Sequence, residues 1–206
     1  MKIGVTIHST DKSMDVAELA REAENRGFAS LYIPEHTHIP TSRRTPAPTG
    51  DAKLGDEYLR SVDPYIALAA AAAGTTRIRL GTGIGLVAQH DTLTFAKQIA
   101  TLDRIAEGRF VLGIGYGWNV EEMENHGIDF KRRRELVREK MLAMQQLWSQ
   151  EVASFDGEFV RFEESASPTR AAPTYRDRYR RRASPSPTPT RPPPRVNHPD
   201  HPTPPP

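Results

Sequence analysis

Residues 77–119 constrain the fold more than any other stretch. They run RIRLGTGIGLVA, then QHDTLTFAKQIATLDRIAEGR, then FVLGIGYGWN, and read as strand, helix, strand. Each apolar run ends in glycines: Gly81, Gly83 and Gly85 in the first, Gly113, Gly115 and Gly117 in the second. Runs of this kind suit strands covered on both faces, as parallel strands are, and the glycines leave room for close approach of something flat. The helix between them sets Leu93, Ala96, Ile99, Leu102, Ile105 and Ala106 at intervals of three and four, which predicts one apolar face against a sheet. Gly108 supplies its left-handed stop. Two parallel strands joined by one helix form a right-handed crossover unit.

The chain before it repeats the pattern. Lys2 to His8 carries no charge between its ends and predicts a buried first strand. Ser13 or Asp15 can cap the next helix, Asp15 with Glu18 at capping-box spacing, and that helix buries Val16, Leu19, Ala20 and Ala23 and closes at Gly27. Residues 29–34, ASLYIP, form the second strand and deliver Glu35, His36 and His38 at its C-terminal end. Residues 37–62 are polar and rich in proline and glycine, with Arg43 and Arg44 as solvated charges; a long loop at this place reads as a lid. Asp63 and Pro64 open an alanine-rich helix that Gly74 closes. Further on, Asn119 caps a short acidic helix, and residues 132–150 form a longer one with Leu136, Val137, Met144, Leu147 and Trp148 on one face. Residues 153–162 read as a hairpin turning at Asp156-Gly157.

Alternating strands and helices, with the chemistry at strand C-termini, define a parallel α/β fold. A (β/α)₈ barrel and an open doubly wound sheet both place sites there. A dinucleotide fingerprint is incomplete, because Leu86 and Trp118 stand where its third glycine belongs. Two histidines and a glutamate on one loop are weak metal ligands, so no metal is expected. His36 either takes part in chemistry or bonds a loop carbonyl. Trp118 is either core or a ring contact.

Composition divides the chain at about residue 164. Residues 165–206 hold 13 of the 18 prolines, 8 of the 28 basic side chains and 2 of the 26 acidic ones. The basic pI near 9.0 therefore belongs to this tail, and residues 1–164 are net acidic. Without cysteine, disulfides and thiolate metal sites are excluded. No apolar run approaches the roughly 18 residues of a membrane span, so the expected setting is cytoplasmic.

The strings IPEH, RIRLGTGIGL, AKQIATLDRIAEGRFVLGIGYGWN and EEMENHGIDFKRRRELVREKMLAMQQLW together resemble the luciferase-like monooxygenase family, and within it the coenzyme F420 (deazaflavin)-dependent oxidoreductases. The resemblance covers about residues 1–164. It implies a TIM (β/α)₈-barrel type, with coenzyme F420 or alternatively FMN bound at the strand C-termini and a small-molecule substrate. It implies a non-prolyl cis peptide at Gly83-Ile84, with Thr82 beside it. It further implies catalytic roles for His36 and Glu35, a cofactor wall of Gly115, Gly117, Trp118 and Asn119, and a homodimer.

Only about four β/α units are legible, against the eight strands of such a barrel. Residues 165–206, Pro- and Arg-rich and aperiodic, are expected to be disordered, and their composition reads as a frame-shifted replacement of a missing C-terminal half. The first and fourth strands are then open edges. The activity expected is hydride transfer, impaired by truncation. The alternative is a non-enzymatic binding module, whose YRDRYRRR segment suits single-stranded nucleic acid and whose proline runs suit polyproline grooves.

Overall fold

The computed structural model describes residues 1–48, 50 and 54–166. Four parallel strands lie in chain order: β1 (Gly4–Thr6), β2 (Ser30–Ile33), β3 (Arg79–Thr82) and β4 (Phe110–Val111). The crossovers carry α1 (Val16–Asn25), α3 (Pro64–Ala73) and α4 (Thr92–Ile105). A short helix, α2 (Asp56–Leu59), interrupts the long loop, so that loop has structure of its own. After β4 come α5 (Val120–Asn125), α6 (Arg133–Ser149) and an antiparallel pair, β5 (Val152–Asp156) and β6 (Arg161–Ala166).

Register assigns the two faces of the sheet. Val5, Leu31, Leu80 and Phe110 stand level across the four strands. Leu31, Leu80 and Phe110 are buried in one core with Ala20 and Ala23 of α1, Leu68 and Ala71 of α3, and Phe95, Ile99 and Leu102 of α4. The next level holds Thr6, Tyr32, Gly81 and Val111, and a Cβ on Gly81 would strike the Tyr32 ring at 2.7 Å. Helices therefore cover one face, while Thr6, Tyr32, Gly81 and Val111 line the other. That is barrel geometry; a doubly wound sheet is covered on both faces.

Local chemistry explains the elements. Asp15 accepts from the N–H groups of Ala17 and Glu18, and Asp63 from those of Tyr65 and Ile66 with Pro64 at the first helical position. Gly27 and Gly108 close α1 and α4 at φ +80° and +79°, where a side chain would be strained. At the N-terminal end of the sheet Arg109 donates to the carbonyls of Ala72, Thr75 and Ile78 at 3.0, 2.9 and 3.1 Å, fastening the end of α3 to β4. Trp148 of α6 donates its indole N–H to Ala96 of α4 at 2.9 Å.

Three expectations are corrected. Among the described residues the first strand is an edge, not a buried strand: Ile3 is 53% exposed and the strand itself spans Gly4–Thr6. In α4 the buried stripe is Phe95, Ala96, Ile99, Ala100, Leu102 and Ala106, while Leu93 and Ile105 face outward, because the stripe turns by one position toward Phe95. The hairpin does not turn on Asp156-Gly157. Asp156 pairs with Arg161, and Gly157 N–H closes a four-residue loop onto the Val160 carbonyl. Arg44 is the solvated loop charge expected, 63% exposed at its side chain, and it pairs with Glu124 at 2.5 Å on the surface. Of residues 165–206 the structure describes Ser165 and Ala166, which continue β6; the expectations for the rest lie outside the described residues.

Candidate functional site

The C-terminal ends of the strands converge on one region. β1 leads to His8, β2 to Glu35, His36 and Thr37, and β4 through Gly113–Trp118 into α5. β3 leads to a turn whose Gly83-Ile84 peptide is cis.

Glu35 organises the turn after β3. It is 3% exposed, and both carboxylate oxygens are engaged. One accepts from the Tyr65 hydroxyl at 2.9 Å and the Leu86 N–H at 2.6 Å, and the other meets His90 Nε2 at 2.6 Å. Its own N–H donates to the Ile84 carbonyl at 3.1 Å. Glu35 thus grips the turn from backbone and side chain together. Burial, with the adjacent Glu35 carboxylate assisting, pushes the Tyr65 hydroxyl far above its ordinary value, so it stays a donor. Lys140 of α6 supports the arrangement from behind, donating to the carbonyls of Ala88, at 2.8 Å, and His90. Burial lowers the Lys140 pKa, with Asp91 opposing.

His36 makes a second carboxylate pair. Its Nδ1 lies 2.9 Å from Glu122 Oε2, and Glu122 Oε1 accepts from the Thr37 N–H at 3.1 Å. Burial alone would raise the Glu122 pKa, but the bond and charge of His36 and the Thr37 N–H bring it below the ordinary value. An ionised Glu122 fixes the His36 proton on Nδ1 and leaves Nε2 as an acceptor, with no partner among the described residues. His38 turns away toward Thr37 and Asn125. Glu35, His36 and His38 therefore serve different partners, and the described residues contain no group of three or more metal-ligating side chains.

The glycines of the strand ends are accounted for by the protein's own atoms. A Cβ on Gly85 would meet the Tyr65 hydroxyl at 2.5 Å, on Gly113 the Thr82 carbonyl at 2.2 Å, on Gly115 the Ile84 side chain at 2.4 Å, and on Gly117 Met123 at 2.3 Å. Thr82 is buried and donates to Gly113, and Asn119 caps α5 by accepting from the Glu122 N–H. Ile84, 39% exposed, lies over Gly115. Trp118 is no core residue: its ring stands edge-on to His36 at 5.8 Å and to Tyr58 at 6.3 Å.

Sequence reasoning missed Tyr65, His90, Glu122, Tyr58, His8 and Lys140. Two of these had a readable position, because Tyr65 and Glu122 sit in the first turn of helices whose caps were identified.

The loop after β2 is fastened by another buried carboxylate. Glu121 accepts from the Thr45 N–H at 2.9 Å and from the Thr45 hydroxyl. Burial opposes its ionisation, but these bonds win and bring its pKa from 4.5 to about 2. A depressed carboxyl stabilises above its unfolded value and loses that contribution as pH falls through its folded one. The loop is therefore expected to stay fastened at pH 5 and to loosen between pH 4.5 and about 2. Pepsin cleavage within residues 42–48 should rise across that window. A Glu121→Gln chain should show accelerated cleavage by a neutral protease at pH 7; equal cleavage of the two chains there would contradict the assignment.

The luciferase-like monooxygenase family model matches residues 1–193. The chain belongs to this family. An uncharacterized protein of Mycobacterium tuberculosis is 48% identical over 164 residues, covering 79% of this chain and 58% of the relative. An F420-dependent glucose-6-phosphate dehydrogenase of Kineococcus radiotolerans is 29% identical over 171 residues, covering 78% of this chain and 45% of the relative. Among solved structures, the oxygenating constituent of 3,6-diketocamphane monooxygenase from Pseudomonas putida, in complex with FMN, superposes with TM-score 0.62 at 25% identity, covering 82% of this chain and 44% of that one. The chain spans about half the length of the relatives it matches. Its sheet and helices are the N-terminal half of a luciferase-like barrel. No helix among the described residues is long and apolar enough to cross a membrane.

Proposed function

We propose that the strand C-termini serve a flavin-type oxidoreductase, in which a hydride passes between coenzyme F420 or FMN and a small organic substrate. The observation that carries this reading is His36, whose Nδ1 is fixed by Glu122 while Nε2 is left as an acceptor without a partner among the described residues, its ring beside Tyr58 and Trp118. The names of the relatives support it: one is F420-dependent, and one solved structure holds FMN.

The residues present suit a flat ring. Ile84, lying over Gly115, offers exposed apolar surface and Trp118 an aromatic edge, while the space at Gly115 and Gly117 is taken by Ile84 and Met123 and shapes the wall only through them. Thr82 and Asn119 contribute by holding these neighbours, since their own polar groups are engaged within the protein. A bound deazaflavin or flavin supplies a two-electron acceptor or donor. As an alcohol is oxidised, its C–H bond gives up a hydride and its hydroxyl proton passes to His36 Nε2, leaving a carbonyl. Glu122 stabilises the imidazolium that forms. Glu35 acts as a positioning residue, because it reaches the site only through the Leu86 and Ile84 backbone.

Titrating coenzyme F420 and FMN separately with the chain tests the reading. A saturable change in the fluorescence of either is expected. Two flat titrations would overturn the proposal.

A further inference from the structure

The surface around His36 contains a ring that does not belong to the barrel wall. Tyr58 sits on α2, a four-residue helix with no buried residue, yet its ring reaches three others. It lies 4.8 Å from His8, 5.4 Å from His36 and 6.3 Å from Trp118, the last edge to face at 87°. Tyr58 therefore covers both imidazoles. Beneath it, His8 Nδ1 is buried without a hydrogen-bond partner. A buried polar atom left unpaired costs free energy that a native structure normally avoids, so it marks a place that something else fills. Burial holds His8 below its ordinary pKa, with Glu57 opposing and His36 assisting, so its ring is neutral and can accept or donate.

The charges around the rings are negative. Glu122 bonds His36, and Glu57 lies beside His8. Three cations of the surrounding segments are bound elsewhere: Lys12 by Asp56, Arg60 by Asp11 and Arg44 by Glu124. Among the described residues, none of these cations is left to receive an anionic substrate.

We propose that Tyr58 holds the substrate's place, and that the site it covers takes an uncharged, compact alcohol or carbonyl compound with a flat or apolar flank. The substrate's ring or alkyl group replaces the Tyr58 ring between His8 and Trp118, and its oxygen lies between His8 Nδ1 and His36 Nε2. The inference rests on the hydride-transfer reading for its choice of alcohols and carbonyls, but the site can be probed without the cofactor.

Trp118 reports on the site, since the only other tryptophan, Trp148, is 2% exposed and bonded to Ala96. The full chain is titrated with benzyl alcohol and with benzoate while tryptophan emission is followed. Benzyl alcohol is expected to give a saturable change that a Trp118→Phe chain lacks, with benzoate at least tenfold weaker. Tyr58→Ala is expected to tighten benzyl alcohol about fivefold or more with an unchanged circular dichroism spectrum, because α2 buries nothing. Adding His8→Leu should reverse that gain. Affinity unchanged or weakened in Tyr58→Ala, or benzoate binding as well as the alcohol, would overturn the proposal. Cofactor titrations of the same chains separate the two readings. Cofactor binding without an alcohol response sinks only this inference, whereas an alcohol response without cofactor binding sinks only the hydride-transfer reading.

Discussion

Glu35→Ala is expected to lower the unfolding free energy by about 3–5 kcal/mol, the usual cost of removing one partner from a buried charged network. The lost carboxylate leaves three donors facing one another in the interior: the Tyr65 hydroxyl, the Leu86 N–H and His90 Nε2. The Tyr65 hydroxyl and the Leu86 N–H have no water as a ready substitute, because Tyr65 is 7% and Leu86 2% exposed, whereas the His90 side chain is 18% exposed. Urea unfolding at pH 7 reads the loss directly. Glu35→Gln keeps the shape and one acceptor oxygen, so it should cost less. If alanine and glutamine cost the same, and under about 1 kcal/mol, the donors have found other partners and the grip on the turn is unimportant.

The second large effect concerns chemistry. His36→Asn should lower the rate of hydride transfer by about 10²–10⁴, the usual weight of a positioned proton acceptor, while leaving cofactor affinity within about threefold. Single-turnover bleaching of coenzyme F420 by an alcohol separates the two quantities. Glu122→Gln should give an intermediate loss and move the pH at which the rate rises, since the carboxylate that selects the His36 tautomer is gone. An unchanged rate in His36→Asn would remove the imidazole from the reaction.

Much of the fold was legible because local signals agreed. Asp15, Asp63 and Asn119 cap the helices where expected, and the repeated strand-helix pattern leaves a parallel sheet as the simplest outcome. Burial in α4 was harder, since intervals of three and four describe two adjacent stripes. Only the packed structure selects Phe95 and Ile99 over Leu93 and Ile105. The glycines show a different limit. Sequence reveals that a side chain is missing, not what fills its place, and at Gly85, Gly113, Gly115 and Gly117 the filler is the protein itself. His36 could be singled out because it follows a strand. Its pairing with Glu122 could not be read, although Glu122 has a legible place behind the Asn119 cap, because the two are 86 residues apart and meet only when the ends of β2 and β4 do.

Lys140 links α6, on the outside of the barrel, to the two carbonyls that precede α4, and through His90 to Glu35. The outer helix thus acts as an adjusting screw for the inner turn. A substitution along α6 that shifted its lysine by a fraction of an ångström would be felt at Ile84 through Lys140, His90 and Glu35. Relatives that differ on this outer wall can then differ in how they grip a cofactor, without a single change among the residues that touch it.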